Sequence, residues 1–597
     1  MNKTLAELCT SHGVEPTYED VDQREHSIPE STLEALVDIF GISKPADRPP
    51  DGIPEALAEP APPQCYVPPF LKQGRAWGVT CQVPALKSQE SLGMGDFRDL
   101  ASFCGLAAAE GADFVGVNPL HALFWSDPGR ISPFSPSNRR FLNPLYLVPG
   151  WFECGWEFSP QQRAEAERLN AGELVNFAAA AQLKKAILRA LFAHHGKIDL
   201  SSAAYEEFRR QGGEPLTAHA TFEALSEEMT KRGFGAGWPS WPEEFQDHGS
   251  EAVQAFVREN QDAISFHLWL QFHADRQLAR VQKMALDAGM RIGLYVDYAV
   301  GAAPDGSAAW SDPANTVPDL SVGAPPDTFS ATGQDWGLAP LSPVEMAEHH
   351  GKPIADALGA AVRHAGAIRI DHAMSLGRLW LIPRGRSAME GAYVRYPLTT
   401  LLRRVAEVSQ ETQSLVIGED LGTVPEGFRE VIMDRELHSY KVWFFEWDDG
   451  DPPEPAQWAK TAIACIGTHD TNTFAGWWTG DAIDLQLTLG RLSREGAAKG
   501  QIERNAERAA LRRRLGGKGA DVESASLAVH RQLANSPCRL AALQIEDALC
   551  LTNQVNVPGT LDEYPNWRRR LPVPLERLGR HRSFNRHCAV FRARRPR

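Results

Sequence analysis

Four short apolar runs in this chain each close on an acid. Ala367-Ile368-Arg369-Ile370 ends in Asp371-His372, and Ile292-Gly293-Leu294-Tyr295-Val296 ends in Asp297. Leu415-Val416-Ile417-Gly418 ends in Glu419-Asp420, and Ile463-Ala464-Cys465-Ile466-Gly467-Thr468 ends in His469-Asp470. A buried parallel strand is a near-continuous apolar run, and its carboxyl end is what a barrel turns toward a pocket. Four such runs imply one acidic pocket. Cleaving a glycosidic bond calls for an acid on the leaving oxygen and a carboxylate at the anomeric carbon, and a third carboxylate can hold the distorted sugar. Asp371, Glu419 and Asp470 could supply those three roles. Their separations of roughly fifty residues are about one βα unit or somewhat more. Arg369 lies two residues before Asp371, so on a strand both face one side, and a cation there keeps Asp371 ionised. A single Asp at a strand end is more often a cap or loop residue. Residue types alone therefore define an acidic barrel pocket, which a divalent-metal hydrolase would fit nearly as well.

Strand-like and helical patterns alternate from about residue 75 to Asp470. Phe114-Val115-Gly116-Val117 is a further buried strand closing on Asn118-Pro119-Leu120-His121, and helical periodicity runs through 159–230, 252–288 and 481–533. This order predicts an α/β chain, a (β/α)8 TIM barrel with insertions. The alternative is a doubly wound sheet, but no Gly-x-Gly-x-x-Gly or Walker-type loop joins a strand to a helix. Residues 1–70 read as a small helical extension followed by a proline-rich extended linker, and 71–597 as the catalytic barrel with insertions at about 131–260 and 300–345. The Gly/Pro/Asp-rich excursion after Asp297 is long for a loop without a function. Val555–Thr560 reads as one more strand. Trp238 and Trp241 read as packing between subdomains, and the Arg592–Arg597 run as a solvated tail.

With 597 residues the chain is long enough for a large core, and its formal charge of −15 supplies no basic field for nucleic acid. Nine scattered cysteines form no Cys-x-x-Cys pair or zinc spacing, which fits reduced thiols. Met1–Thr10 is a poor signal peptide and no apolar run approaches a membrane span, so a cytoplasmic protein without membrane contact is expected.

Several phrases narrow the reading by resemblance. Residues 369–372, Gly418-Glu419-Asp420-Leu421-Gly422 and Thr468-His469-Asp470-Thr471-Asn472-Thr473 resemble the conserved regions of the amylomaltases, the 4-α-glucanotransferases or disproportionating enzymes of the α-amylase clan. Gly93-Met94-Gly95-Asp96, Asn118-Pro119-Leu120-His121, Gly323–Gly337, Val555–Thr560 and Pro565-Asn566-Trp567-Arg568 match as well, so the resemblance runs from about 75 to about 575. It implies a barrel with inserted helical subdomains and no C-terminal β-domain, with Asp371 as nucleophile, Glu419 as general acid/base and Asp470 as transition-state stabiliser, acting on maltodextrins with no metal or cofactor. It implies substrate contacts from Arg369, His469, Asp297, Asn118, His121 and Ser132, and a loop beside the acceptor subsites carrying Asp327, Phe329, Gln334 and Trp336. As the acid, Glu419 must hold its proton near neutral pH, which burial and neighbouring carboxylates would favour. One position departs from the pattern: Phe134 stands where the family reads Tyr, in Ser132-Pro133-Phe134. The ring still stacks on a sugar, but one acceptor-side hydrogen bond is lost.

Overall fold

The acid-tipped runs fold as neighbouring strands of one parallel barrel. The structure, a computed structural model, describes residues 3–20, 24–46, 49–152, 155–326, 330, 332–517 and 519–597. The barrel strands are β1 (Ala76–Cys81), β2 (Phe114–Val117), β3 (Gly293–Tyr298), β4 (Ala367–Ile370), β5 (Leu415–Gly418), β6 (Ser439–Val442), β7 (Ala462–Cys465) and β8 (Leu540–Gln544). Their spatial order is β5-β4-β3-β2-β1-β8-β7-β6. The ring closes between β5 and β6 through a parallel bridge from Ile417 to His438: His438 N–H donates to Val416 O at 2.9 Å and Gly418 N–H to His438 O at 2.8 Å. This is a (β/α)8 barrel and not a doubly wound sheet.

Alternation along the strands divides the side chains. Phe114, Tyr295, Ile417, Tyr440, Cys465 and Leu540 share a core inside the ring, whereas Trp77, Val79, Val115, Leu294 and Val416 pack outward. Large inner rings need small neighbours. At Gly78 a β-carbon would stand 2.3 Å from the Phe114 ring, and at Gly116 it would stand 2.9 Å from that of Tyr295.

Between β2 and β3 the chain inserts helices Pro160–Asn170, Phe177–Leu200, Ala203–Lys231 and Glu251–Glu259 before Gln261–Asp287 packs back against the barrel helix Phe97–Ala109. Phe222, Trp241, Phe256 and Trp310 build a second apolar core there. Trp238 Nε1 donates to Pro304 O at 3.2 Å, so this insertion is tied to the segment after β3.

That segment is not a bare loop. Leu320–Ala324 and Gln334–Leu338 join Arg378–Pro383 and Ala392–Arg395 in a four-stranded antiparallel sheet. Half of its partners come from beyond β4, a non-local pairing that local composition does not reveal. The N-terminal segment adds a strand pair, Thr17–Glu19 with Glu25–Ser27, to its helices Lys3–Ser11 and Glu30–Ile39. It leans on the same sheet: Glu15 N–H donates to Tyr393 O at 2.8 Å and the Tyr18 ring meets Trp380 at 4.9 Å. The proline-rich stretch that follows lies against the barrel, with Cys65 N–H on Arg435 O at 2.7 Å and Tyr66 N–H on Ser409 Oγ at 2.8 Å.

Two local expectations are corrected. Val555–Thr560 is an irregular loop and not a strand; it sits over the barrel mouth with its polar groups engaged there. The Arg592–Arg597 run is not a solvated tail. Arg595 is 1% exposed, and its guanidinium donates to Ala76 O (3.0 Å), Cys538 O (2.9 Å) and Ala534 O (3.1 Å). Those carbonyls lie at the start of β1, just before β8 and near the end of helix Val522–Asn535, and a five-donor fork satisfies them together.

Candidate active site

Strand register creates the centre of the site. Arg369 and Asp297 are Cα partners across β3 and β4, so their side chains rise into the ring together. Arg369 Nη1 donates to Asp297 Oδ1 at 2.8 Å and Oδ2 at 2.9 Å. The same nitrogen lies 2.8 Å from Asp371 Oδ1, two residues up the strand, and Nη2 lies 4.0 Å from Glu419 Oε2. One buried guanidinium therefore faces three carboxyl groups from three adjacent strands. A fixed cation stands among them, and among the described residues no group of three or more His, Cys, Asp or Glu is placed to hold a metal ion.

The strand ends hold the acids firmly. Asp371 N–H extends the ladder to Tyr298 O at 3.0 Å. His372 then turns left-handed, with φ 47°, a strained conformation for a residue with a side chain. Its N–H thereby reaches Glu419 Oε2 at 2.9 Å, while Glu419 Oε1 accepts from Leu421 N–H at 2.7 Å. Burial pushes Glu419 up to about 7. Arg369 and the two backbone donors oppose that rise and Asp371 adds to it. Burial likewise lifts Asp297 to about 6 against the pull of Arg369.

Asp470 is the exposed member, with 43% of its side chain accessible in the cleft. Its Oδ2 lies 3.2 Å from His469 Nε2, and its Oδ1 accepts from Asn556 Nδ2 at 2.6 Å. Burial of its surroundings acts to raise its pKa, but His469 and Asn556 outweigh it and leave the carboxyl below the usual range. His469 in turn is raised, because Asp470 outweighs its own desolvation. Phe134 stacks on His469 with centroids 4.4 Å apart, and Trp567 closes the cluster at 5.6 Å from Phe134 and 5.4 Å from His469. The loop bearing Phe134 is pinned by Arg130, which holds both oxygens of Asp305 at 2.7 and 2.9 Å.

A cavity of about 600 Å³, counted to its open mouth, lies beside this arrangement; Asn118, Asp297, Arg369 and His469 line it. Asn118 Nδ2 is buried there with no acceptor among the described residues. Trp336 meets His372 edge-on at 5.2 Å and donates from Nε1 to Gln334 Oε1 at 3.2 Å, which brings that strand to the rim. Ser132 closes a turn with Ser135 N–H, 3.2 Å from its carbonyl, beside Phe134. His121 stands behind the site. It is buried, it accepts the Ala299 N–H at 3.4 Å, and burial drives it down to about 3, so it is a neutral support for the end of β3. Asp327 and Phe329 lie outside the described residues.

Asn556 and Trp567 are the site residues that reading the sequence left out. Both lie in phrases that stood out, Val555–Thr560 and Pro565–Arg568, but a strand assignment hid the loop's inward face. Trp567 is left-handed at φ 61° and only 7% exposed, a fixed ring and not a surface one.

Fold and site together define a (β/α)8 barrel with a cluster of carboxyl groups at its mouth. A family model for 4-α-glucanotransferases matches residues 81–576. The 4-α-glucanotransferase of Haemophilus influenzae is 33% identical over 550 residues, covering 86% of this chain and 78% of that one. That of Mycobacterium tuberculosis is 37% identical over 536 residues, covering 85% and 73%. The crystal structure of amylomaltase from Corynebacterium glutamicum superposes with a TM-score of 0.84 at 25% identity, covering 99% of this chain and all of that one. The chain belongs to the 4-α-glucanotransferase family.

Proposed function

We propose that this enzyme moves α-1,4-glucan segments between maltodextrins through a covalent glycosyl intermediate on Asp371. The observation that carries the reading is the gathering of three carboxyl groups around the one guanidinium of Arg369. The guanidinium binds Asp297 and Asp371 directly, while Glu419, 4.0 Å away and buried, is poised to hold a proton near neutral pH. In the first step Asp371 attacks the anomeric carbon as Glu419 gives its proton to the departing O4. In the second, Glu419 takes the proton of an acceptor 4-hydroxyl, whose oxygen displaces Asp371 and restores the α configuration. Asp470, exposed and held ionised by His469 and Asn556, stabilises the positive charge that develops on the sugar ring. Trp336 and Gln334 at the rim border the acceptor, and a bound acceptor outcompetes water for the intermediate. In this scheme residues 1–70 are an accessory extension and 71–597 the catalytic unit with its insertions.

The described cysteines are free and all but Cys550 are buried. Among the described residues no helix is long and apolar enough to cross a membrane. Both features support a cytoplasmic setting for a glucan-handling enzyme.

Incubation with pure maltotriose tests the reading. Transfer yields glucose and longer chains at a constant count of reducing ends, and Asp371→Asn reduces it by about 10⁴-fold or more. A rising count without elongation makes the enzyme a hydrolase and sinks the proposal.

A further inference from the structure

Three polar side chains of the cavity wall come from strands that carry none of the proposed catalytic carboxylates. Gln82 follows β1, Gln544 ends β8, and Glu546 lies in the short helix Ile545–Ala548 directly after it. Gln544 pairs with Thr80 across β8 and β1, so Gln82 and Glu546 leave neighbouring strand ends. They are 6% and 8% exposed, and the Gln82 amide acts to lower the Glu546 carboxyl against its burial.

The setting of Glu546 differs from that of every other acid in the site. Asp297 and Asp371 have Arg369, Asp470 has His469, and Glu419 has two backbone donors. Glu546 has no cationic partner among the described residues; only its own backbone N–H and the Gln82 amide oppose the effect of its burial. Burial raises it to about 7, so near neutral pH much of it is protonated and offers an O–H donor. The adjacent Asp547 has a structural task, since its Oδ1 accepts the Phe474 N–H at 2.7 Å and fixes the helix that follows the Asp470 loop. Glu546 has no such task, and it lines the cavity.

A protonated carboxyl flanked by Gln82 and Gln544, with the unpaired Asn118 amide in the same wall, is complementary to sugar hydroxyls and not to a charged ligand. In an eight-stranded ring β8 and β1 stand across the mouth from β4 and β5. Trp336 marks the β4 side, beside His372, which the reading above gives to the acceptor. The opposite wall is left to the donor.

We propose that Glu546, beside Gln82 in the cavity wall, is a specificity-determining residue that hydrogen-bonds a hydroxyl of the donor glucan. The inference rests on the glucanotransferase reading and gives its donor side a named contact. A contact to a sugar that does not react is felt equally in ground and transition states, so its loss falls on donor KM and not on kcat.

The test uses maltotetraose as donor and labelled glucose as acceptor, with initial rates of label incorporation. Glu546→Leu is expected to raise donor KM about tenfold while acceptor KM and kcat change less than about threefold. Glu546→Gln, which keeps the shape and a donor, should recover most of that loss. A donor KM within twofold of wild type in Glu546→Leu overturns the proposal, as does a fall in kcat with both KM values fixed, which would assign Glu546 to support of the fold. If Glu546→Leu does not fold, Gln82→Leu carries the test: about threefold on donor KM supports the proposal and no change overturns it. Wild-type enzyme that incorporates no label overturns the transferase reading itself, a result distinct from any of these.

Discussion

The two ends of the barrel treat buried charge in opposite ways. At the floor, before β2 and β3, Asp113 is fully buried and matched: Arg291 holds its two oxygens at 2.6 and 2.9 Å, and Arg597 stands 3.8 Å away. At the mouth one cation, Arg369, faces Asp297, Asp371 and Glu419. Where acids are matched by cations, the charges hold the structure. Where acids outnumber the cation, burial leaves protons behind, and Asp297 and Glu419 rise to about 6 and about 7. Such a mismatch is the arrangement that the proton transfers of the proposed mechanism require near neutral pH.

The largest break of this comparison is Glu419→Gln. Transfer should fall about 10³-fold, and the alkaline limb of the wild-type rate, centred near pH 7 as the acid form is lost, should vanish from what remains. Stability should move the other way. The carboxyl is raised from 4.5 to about 7 on folding, so the folded state binds more protons between those values and loses stability as pH rises through them. Above pH 7 the buried charge carries its full cost, so Glu419→Gln should gain about 2–3 kcal/mol at pH 8 and nothing at pH 4. Urea melts at the two pH values decide it, and a variant destabilised at pH 8 would contradict the account.

A paired substitution separates the two ends. Arg291→Leu strands Asp113 at the floor and should lose about 3–5 kcal/mol of stability, with transfer little changed below its melting point. Arg369→Leu removes the guanidinium that faces three acids and should lower transfer about 10²-fold even where it remains folded. Equal rate losses in the two variants would erase the distinction.

How far the sequence carried this reading follows from where the information lies. Asp371, Glu419 and Asp470 were legible because each closes a short apolar run, and Arg369 because strand alternation puts it beside Asp371. The pairing of Arg369 with Asp297 depends on the register between β3 and β4, which no single run encodes. The same limit applies to the four-stranded sheet, whose strands pair across the segment bearing Asp371. Asn556 and Trp567 act from an irregular loop, where side-chain direction follows no period. Arg595 looked like a tail residue because local composition shows its charge but not the carbonyls that three other elements bring to it.

The smallest effect belongs to the rim. Phe134 occupies the position where relatives of this resemblance carry Tyr, and its ring lies nearly parallel to His469, at 24° and 4.4 Å, with Trp567 behind. Stacking of this kind is indifferent to a phenolic hydroxyl, so Phe134→Tyr should leave the His469–Asp470 pair, and hence kcat, in place. What changes is one hydrogen bond to the acceptor, about 0.5–1.5 kcal/mol if it is an ordinary one. Acceptor KM should therefore fall about two- to tenfold, with donor KM fixed. The contrast with Glu546 makes the result specific: one substitution moves acceptor KM, the other donor KM. An unchanged acceptor KM in Phe134→Tyr would mean that the ring's work here is to hold His469, and that acceptor recognition rests on the strand bearing Gln334 and Trp336.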